Sequence, residues 1–166
     1  MQKKIEIYTD GSCIGNPGPG GWASLFLDSS QNKILKKISG KNISTTNNRM
    51  EMTAVIKAIQ YMQKNFIAPE KYKIIIHSDS SLIVQTINSG WKRKANLDLW
   101  LELEEAKKNL DVEFRWVKGH STNKYNQECD RLARGQAEKT ALTSRNLPAV
   151  KKTENISKKN IQEKLF

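Results

Sequence analysis

Apolar and polar residues alternate with period two through Ile5-Glu6-Ile7-Tyr8-Thr9-Asp10, which predicts a half-buried β-strand. The Gly- and Pro-rich stretch from Gly11 to Gly21 predicts a turn. Trp22 to Leu27 predicts a second strand, Asp28 to Asn32 a polar turn, and Lys33 to Ser39 a third strand, which completes an antiparallel meander. At Asn47 the period changes. Met50, Ala54, Val55, Ala58, Ile59 and Met62 recur at helical spacing, behind the N-cap candidates Thr45, Thr46, Asn47 and Asn48. The run at Lys73-Ile74-Ile75-Ile76-His77 fits a strand covered on both faces, as parallel strands are. Asp79-Ser80-Ser81 heads a short helix that Asn88-Ser89-Gly90 ends, and Leu97 to Leu110 forms an amphipathic helix. Val112 to Val117 alternates as a last strand, and Tyr125 to Glu138 forms a final helix with Cys129, Leu132 and Ala133 on one face. Hairpins come first and α/β crossovers follow, in the order βββαβααβα. The expectation is an α/β fold: a five-stranded mixed sheet, an antiparallel meander plus parallel strands, flanked by helices.

The chain has 166 residues, which suits one domain. Residues 1–138 carry the patterned elements. From Lys139 to residue 166 apolar residues are sparse and lysines recur, so this part reads as a basic, poorly packed extension. The formal net charge of +11 fits a polyanionic partner, of which nucleic acid is the commonest. Cys13 and Cys129 lie in no Cys-x-x-Cys pair, which removes the usual zinc and redox motifs and fits free thiols in a reducing compartment. No apolar stretch reaches signal-peptide or transmembrane length. The expected setting is cytoplasmic, with no membrane partner and a monomeric state.

Candidate chemistry lies in acids at strand ends and helix starts. Asp10 closes the first strand and Asp79 follows the buried one, so both stand at the carboxyl edge of the sheet, where α/β folds bind ligands. Glu51 begins the long helix beside Met50, and Asp130 lies in the first part of the last helix beside Cys129. Each acid also has a local reading. Asp10 could shape a turn before Gly11, Asp79 could cap a helix, and Glu51 and Asp130 could complement helix dipoles. Convergence is what those readings leave unexplained. Four acids at one rim repel one another unless cations neutralise them, and oxygen-only ligand sets suit Mg²⁺ or Mn²⁺. Two such ions about 3.5–4 Å apart can drive phosphodiester hydrolysis. His120, in a Gly119-His120-Ser121-Thr122 loop, could carry protons near neutral pH or be a surface histidine, while His77 reads as a satisfied core residue. The glycine-rich segment Gly15 to Gly21 lacks a P-loop ending and reads as a turn that brings backbone close to a ligand.

At this point the residues resemble one family, ribonuclease H type 1, and specifically its bacterial HI-like members. The resemblance rests on Tyr8-Thr9-Asp10-Gly11-Ser12-Cys13-Ile14-Gly15-Asn16-Pro17-Gly18-Pro19-Gly20-Gly21-Trp22, Thr45-Thr46-Asn47-Asn48-Arg49-Met50-Glu51, His77-Ser78-Asp79-Ser80, Val117-Lys118-Gly119-His120 and Asn126-Gln127-Glu128-Cys129-Asp130-Arg131-Leu132-Ala133-Arg134, in the family's order. It implies the ribonuclease H-like fold and hydrolysis of the RNA strand of RNA–DNA hybrids by two-metal-ion chemistry. The expected cofactor is a pair of Mg²⁺ ions, with Mn²⁺ as the alternative. It further implies Asp10, Glu51, Asp79 and Asp130 as metal ligands and His120 as the mobile-loop histidine that assists turnover. Cys13, Asn16, Asn47 and Asn48 would line the hybrid's minor groove, Thr46 would help hold a DNA-strand phosphate, and Trp91 would fall near the DNA-strand channel. Lys92 and Arg93 would add electrostatic grip.

The sequence also departs from the family pattern. Many bacterial members carry a long basic handle where Ser89 to Asn96 is short, leaving only Trp91-Lys92-Arg93-Lys94. Ser81 stands where a longer polar side chain is expected. Two function classes compete: a catalytically silent module that binds hybrid or double-stranded RNA, and a related strand-transfer or exonuclease fold with similar carboxylates. The presence of all four acids and the loop histidine argues against the first, and the Thr9-Asp10-Gly11-Ser12 turn and the Asn47-Asn48-Arg49-Met50-Glu51 helix start argue against the second.

Overall fold

The computed structural model describes residues 2–119 and 122–146. Five strands, β1 (Lys3–Cys13), β2 (Gly18–Asp28), β3 (Lys33–Thr45), β4 (Tyr72–Ser78) and β5 (Asp111–Trp116), form one mixed sheet in the order β3-β2-β1-β4-β5. β1 pairs antiparallel with β2, and β2 with β3; β4 runs parallel to both β1 and β5. Four helices complete the described chain: α1 (Asn47–Asn65), α2 (Ser81–Ser89), α3 (Leu97–Lys107) and α4 (Lys124–Arg145). The expected α/β architecture and element order are both present.

The alternation along the strands sorts the core into two layers. Ile5 and Ile7 of β1, Phe26 of β2 and Ile74 and Ile76 of β4 face a large apolar cluster with Val55, Ile59 and Met62 of α1 and Leu103 of α3. Tyr8, Leu25 and Leu27 face the other way, against Cys129 and Tyr125 of α4. Period two in the strands and period 3.6 in the helices therefore meet on both faces of the sheet. His77 is buried, stacked on Tyr8 with 4.4 Å between ring centroids, and its Nε2 lies 3.1 Å from Glu6 Oε2. It is a satisfied core residue, as its strand position suggests.

β1, β2, β3 and α4 are longer than the pattern predicts. Gly11 to Cys13 and Gly18 to Gly21 read as turn residues, yet they pair across the β1–β2 ladder, with Gly11 opposite Trp22 and Cys13 opposite Gly20. The glycines are there for close approach. A methyl group on Gly11 would run into the backbone of Met50 and Glu51, and one on Gly21 into the Ala133 carbonyl of α4. Glycine thus lets α1 settle on one face and α4 on the other. β3 continues to Thr45, six residues past Ser39, through an edge strand that is largely exposed and so lacks an apolar signature. α4 runs on to Arg145, so residues 139–145, placed by pattern in the basic extension, are helical, and Thr140 is 1 % exposed. Residues 147–166 of that extension lie outside the described residues.

Candidate metal centre and substrate face

β1 and β4 run parallel, and their pairing ends with Thr9 opposite Ser78. Asp10 and Asp79 follow directly. Asp10 is 5 % exposed, and its Oδ1 accepts a 2.8 Å hydrogen bond from the Gly11 N–H. Glu51 comes from the fifth position of α1, which Gly11 allows to sit against β1. Thr46 caps that helix, its Oγ1 accepting from the Arg49 N–H at 3.4 Å. Asp79 is braced from β5, whose Trp116 donates its indole N–H to the Asp79 carbonyl at 3.2 Å. Gly119 also passes close by: a Cβ there would stand 2.8 Å from Asp79 Oδ2.

Asp10, Glu51 and Asp79 each bring one carboxylate oxygen into a group that spans no more than 4.8 Å. Asp130 stands in the wall of the same cavity, about 400 Å³ in volume, but outside that tight group. Arg134, one turn along α4, reaches both of its oxygens at 3.0 and 3.1 Å. The structure thus gathers three of the four expected ligands closely and brings the fourth to the rim.

Electrostatics at the group favour a cation. Burial, the negative charge of Asp79 and that of Asp130 push Asp10 up to about 7, against the opposing hydrogen bonds from Glu51 and Gly11. Burial first, then the charges of Asp10 and Asp79, raise Glu51 well above the carboxylate range. Glu51 Oε2 is buried with no hydrogen-bond partner among the described residues. Clustered oxygens, raised proton affinity and an acceptor without a donor are what a hard divalent cation would satisfy, so the residues fit such an ion.

The residues expected on the substrate side surround this cavity unevenly. Asn47 lines it. Asn16 accepts from the Asn47 N–H at 3.0 Å through Oδ1, which ties the β1–β2 turn to the start of α1, and Asn48 is exposed beside it. Cys13 is half-buried, its Sγ 3.3 Å from the Thr45 carbonyl and 3.4 Å from that of Gly18. Trp91 and Lys92 are exposed on the short segment after α2. Arg93 folds back on α3: its guanidinium lies 4.8 Å from the Trp100 ring centre and 2.6 Å from Glu104 Oε1. His120 lies outside the described residues. Pattern reading passed over Asn126 and Arg134, which also line the cavity. Asn126 carries a legible signal, because it is a polar residue on the buried stripe that continues through Cys129, Ala133 and Ala137.

Comparison with known proteins agrees with the geometry. The RNase H family model matches residues 2–138. A protein of Chlorobium chlorochromatii (strain CaD3) named Ribonuclease H is 42% identical over 155 residues, covering 85% of this chain and all of that relative. One of Caldanaerobacter subterraneus subsp. tengcongensis, also named Ribonuclease H, is 42% identical over 149 residues, covering 81% of this chain and 92% of the relative. Among solved structures, LC9-RNase H1, described as a type 1 RNase H with the type 2 active-site motif, matches with a TM-score of 0.71 and 29% identity over 84% of this chain and 74% of its own. LC11-RNase H1, solved in complex with RNA/DNA hybrid, matches with a TM-score of 0.69 and 26% identity over 81% and 97%. The chain belongs to the RNase H family and is a hydrolase of that family.

Proposed function

We propose that this enzyme is an endoribonuclease that hydrolyses the RNA strand of RNA–DNA hybrids, acting as a monomer in the cytoplasm, where primer and transcription hybrids arise. The observation that carries the reading is the 4.8 Å group of Asp10, Glu51 and Asp79, with a buried Glu51 oxygen that has no partner among the described residues. LC11-RNase H1, which was solved with an RNA/DNA hybrid, supports the choice of substrate. The free thiols of Cys13 and Cys129 suit a reducing compartment. Among the described residues no helix is long and apolar enough to cross a membrane.

Asp10, Glu51 and Asp79 would hold divalent cations, and Asp130 would join them on release from Arg134. When bound, two Mg²⁺ ions, or Mn²⁺ in their place, supply the Lewis acidity for phosphodiester hydrolysis to 5′-phosphate and 3′-hydroxyl ends. The protein's own part is to bind and orient the hybrid. Asn16, Asn47 and Asn48, with Cys13, present short polar groups suited to a wide, shallow minor groove and to the 2′-hydroxyls that distinguish RNA from DNA. Thr46 would meet a DNA-strand phosphate, and Trp91 and Lys92 would extend the contact along that strand. Arg93 enters this contact only by leaving Glu104. His120 would carry protons during turnover.

Incubation with Mg²⁺ and labelled hybrid, duplex RNA, duplex DNA and single strands tests the proposal. Internal cuts confined to the RNA of the hybrid are expected. Tight hybrid binding without cleavage would instead identify a silent module. Asp10→Asn should lower kcat by at least about 10³-fold, as loss of an essential charge in the site implies, while hybrid affinity stays within a few-fold; retained turnover would refute its role.

A further inference from the structure

The first turn of α4 holds a polar side chain that the four carboxylates leave without a role. Asn126 is 2 % exposed and lines the carboxylate cavity. Its Oδ1 is buried and has no hydrogen-bond partner among the described residues. The Asn126 backbone N–H is satisfied by Asn123 Oδ1 at 3.1 Å, so the side-chain oxygen is the unmet group. The stripe continues through Cys129, Ala133 and Ala137 to Thr140, whose hydroxyl is satisfied by the Gln136 carbonyl at 2.7 Å. A dry amide oxygen at such a position is costly unless something donates to it. Glu51, in the wall of the same cavity, has a second buried oxygen, Oε2, with no hydrogen-bond partner among the described residues. Of the donors on residues lining the cavity, the Gly11 N–H is engaged by Asp10 and the Arg134 Nη2 by Asp130.

We infer that Asn126 is a positioning residue for the cation site, its Oδ1 accepting a hydrogen bond from a water of the cation's hydration shell. The inference rests on the metal-site reading above. Mg²⁺ sheds its waters reluctantly, and the waters it keeps are strong donors that need acceptors. Outer-shell acceptors of this kind hold the ion's shell in place and set its affinity. A neutral amide supplies an acceptor without adding a further negative charge to a crowded group.

Calorimetric titration with Mn²⁺, together with thermal unfolding in EDTA and in Mn²⁺, tests this on the wild type, Asn126→Leu, Asn126→Asp and Glu51→Gln. Asn126→Leu should weaken Mn²⁺ binding roughly tenfold and shrink the Mn²⁺-induced rise in Tm, while raising Tm in EDTA because the unpaired oxygen is gone. Asn126→Asp keeps an acceptor oxygen and should bind Mn²⁺ at least as tightly as the wild type. Unchanged Mn²⁺ affinity in Asn126→Leu overturns the inference and leaves Asn126 a packing residue. Equal weakening in Asn126→Asp and Asn126→Leu also overturns it, since the amide would then be acting as a donor. If the wild type binds no Mn²⁺, or Glu51→Gln binds it equally well, the metal-site reading itself fails. Loss in Glu51→Gln with no loss in Asn126→Leu sinks the Asn126 inference alone.

Discussion

Asp10 is held where its charge is least welcome without a cation. Its carboxyl is raised from 3.8 to about 7 by burial and by Asp79. In the unfolded chain the group ionises near its ordinary value, so between about pH 4 and 7 the folded state binds the extra proton. Stability from this group is therefore complete below pH 4 and is lost as pH rises to about 7. Urea unfolding in EDTA should show the metal-free protein weakening across that window. Asp10→Asn should flatten the dependence and stabilise the protein at pH 8 by about 1–3 kcal/mol; a steeper dependence in the variant would contradict the assignment. Asp130 behaves differently. Its bond to Arg134 is an exposed i,i+4 pair, with side chains 33% and 52% accessible, worth at most about 0.5 kcal/mol. Such a contact is weak enough to yield if Asp130 joins the cation site as proposed.

At the level of elements, patterning carried the reading far because apolar periodicity is strong wherever an element is buried on a defined face. β1, β4 and α1 announce themselves this way, and with them the positions of Asp10, Asp79 and Glu51. The signal fades where burial is one-sided or where close packing replaces side chains. Gly11 and Gly21 look like turn residues because the property selected there is the absence of a Cβ, and no period records that. The outer half of β3 is polar because it is an exposed edge. The end of α4 buries only Thr140 among polar neighbours, so its helical period is muted. The 3.0 Å bond between Arg134 and Asp130 depends on rotamers and has no linear trace beyond its spacing. α4 also offers a clean test of local propensity. Gly135 sits inside that helix, where an added Cβ would meet nothing within 4 Å, so Gly135→Ala should stabilise by about 1 kcal/mol. Gly21→Ala, where the methyl meets the Ala133 carbonyl, should instead destabilise by about 1–3 kcal/mol. Chemical denaturation of the two variants should show opposite signs.

Across the whole molecule, the +11 net charge stands against a cavity lined by acids; on the proposed reading, the lysines would draw in the polyanion and the acids would bind its accompanying cations. Only Trp91 to Lys94 occupies the place of a long basic handle, and Arg93 is paired to Glu104. Residues 147–166 hold five lysines against two glutamates, so they are the natural reserve of positive charge. Their removal, cutting after Asn146 to keep α4 whole, should raise KM for hybrid at moderate salt and flatten the dependence of affinity on salt. An unchanged KM and slope would confine hybrid attraction to residues 1–146. The brace between β5 and the metal centre has a practical consequence of its own. Trp116 is 52% exposed, and its indole N–H is tied to the carbonyl of Asp79. With Trp22, Trp91 and Trp100 changed to phenylalanine, the emission of this one indole would respond to shifts of the Asp79 backbone, which makes it an optical gauge of the proposed cation site.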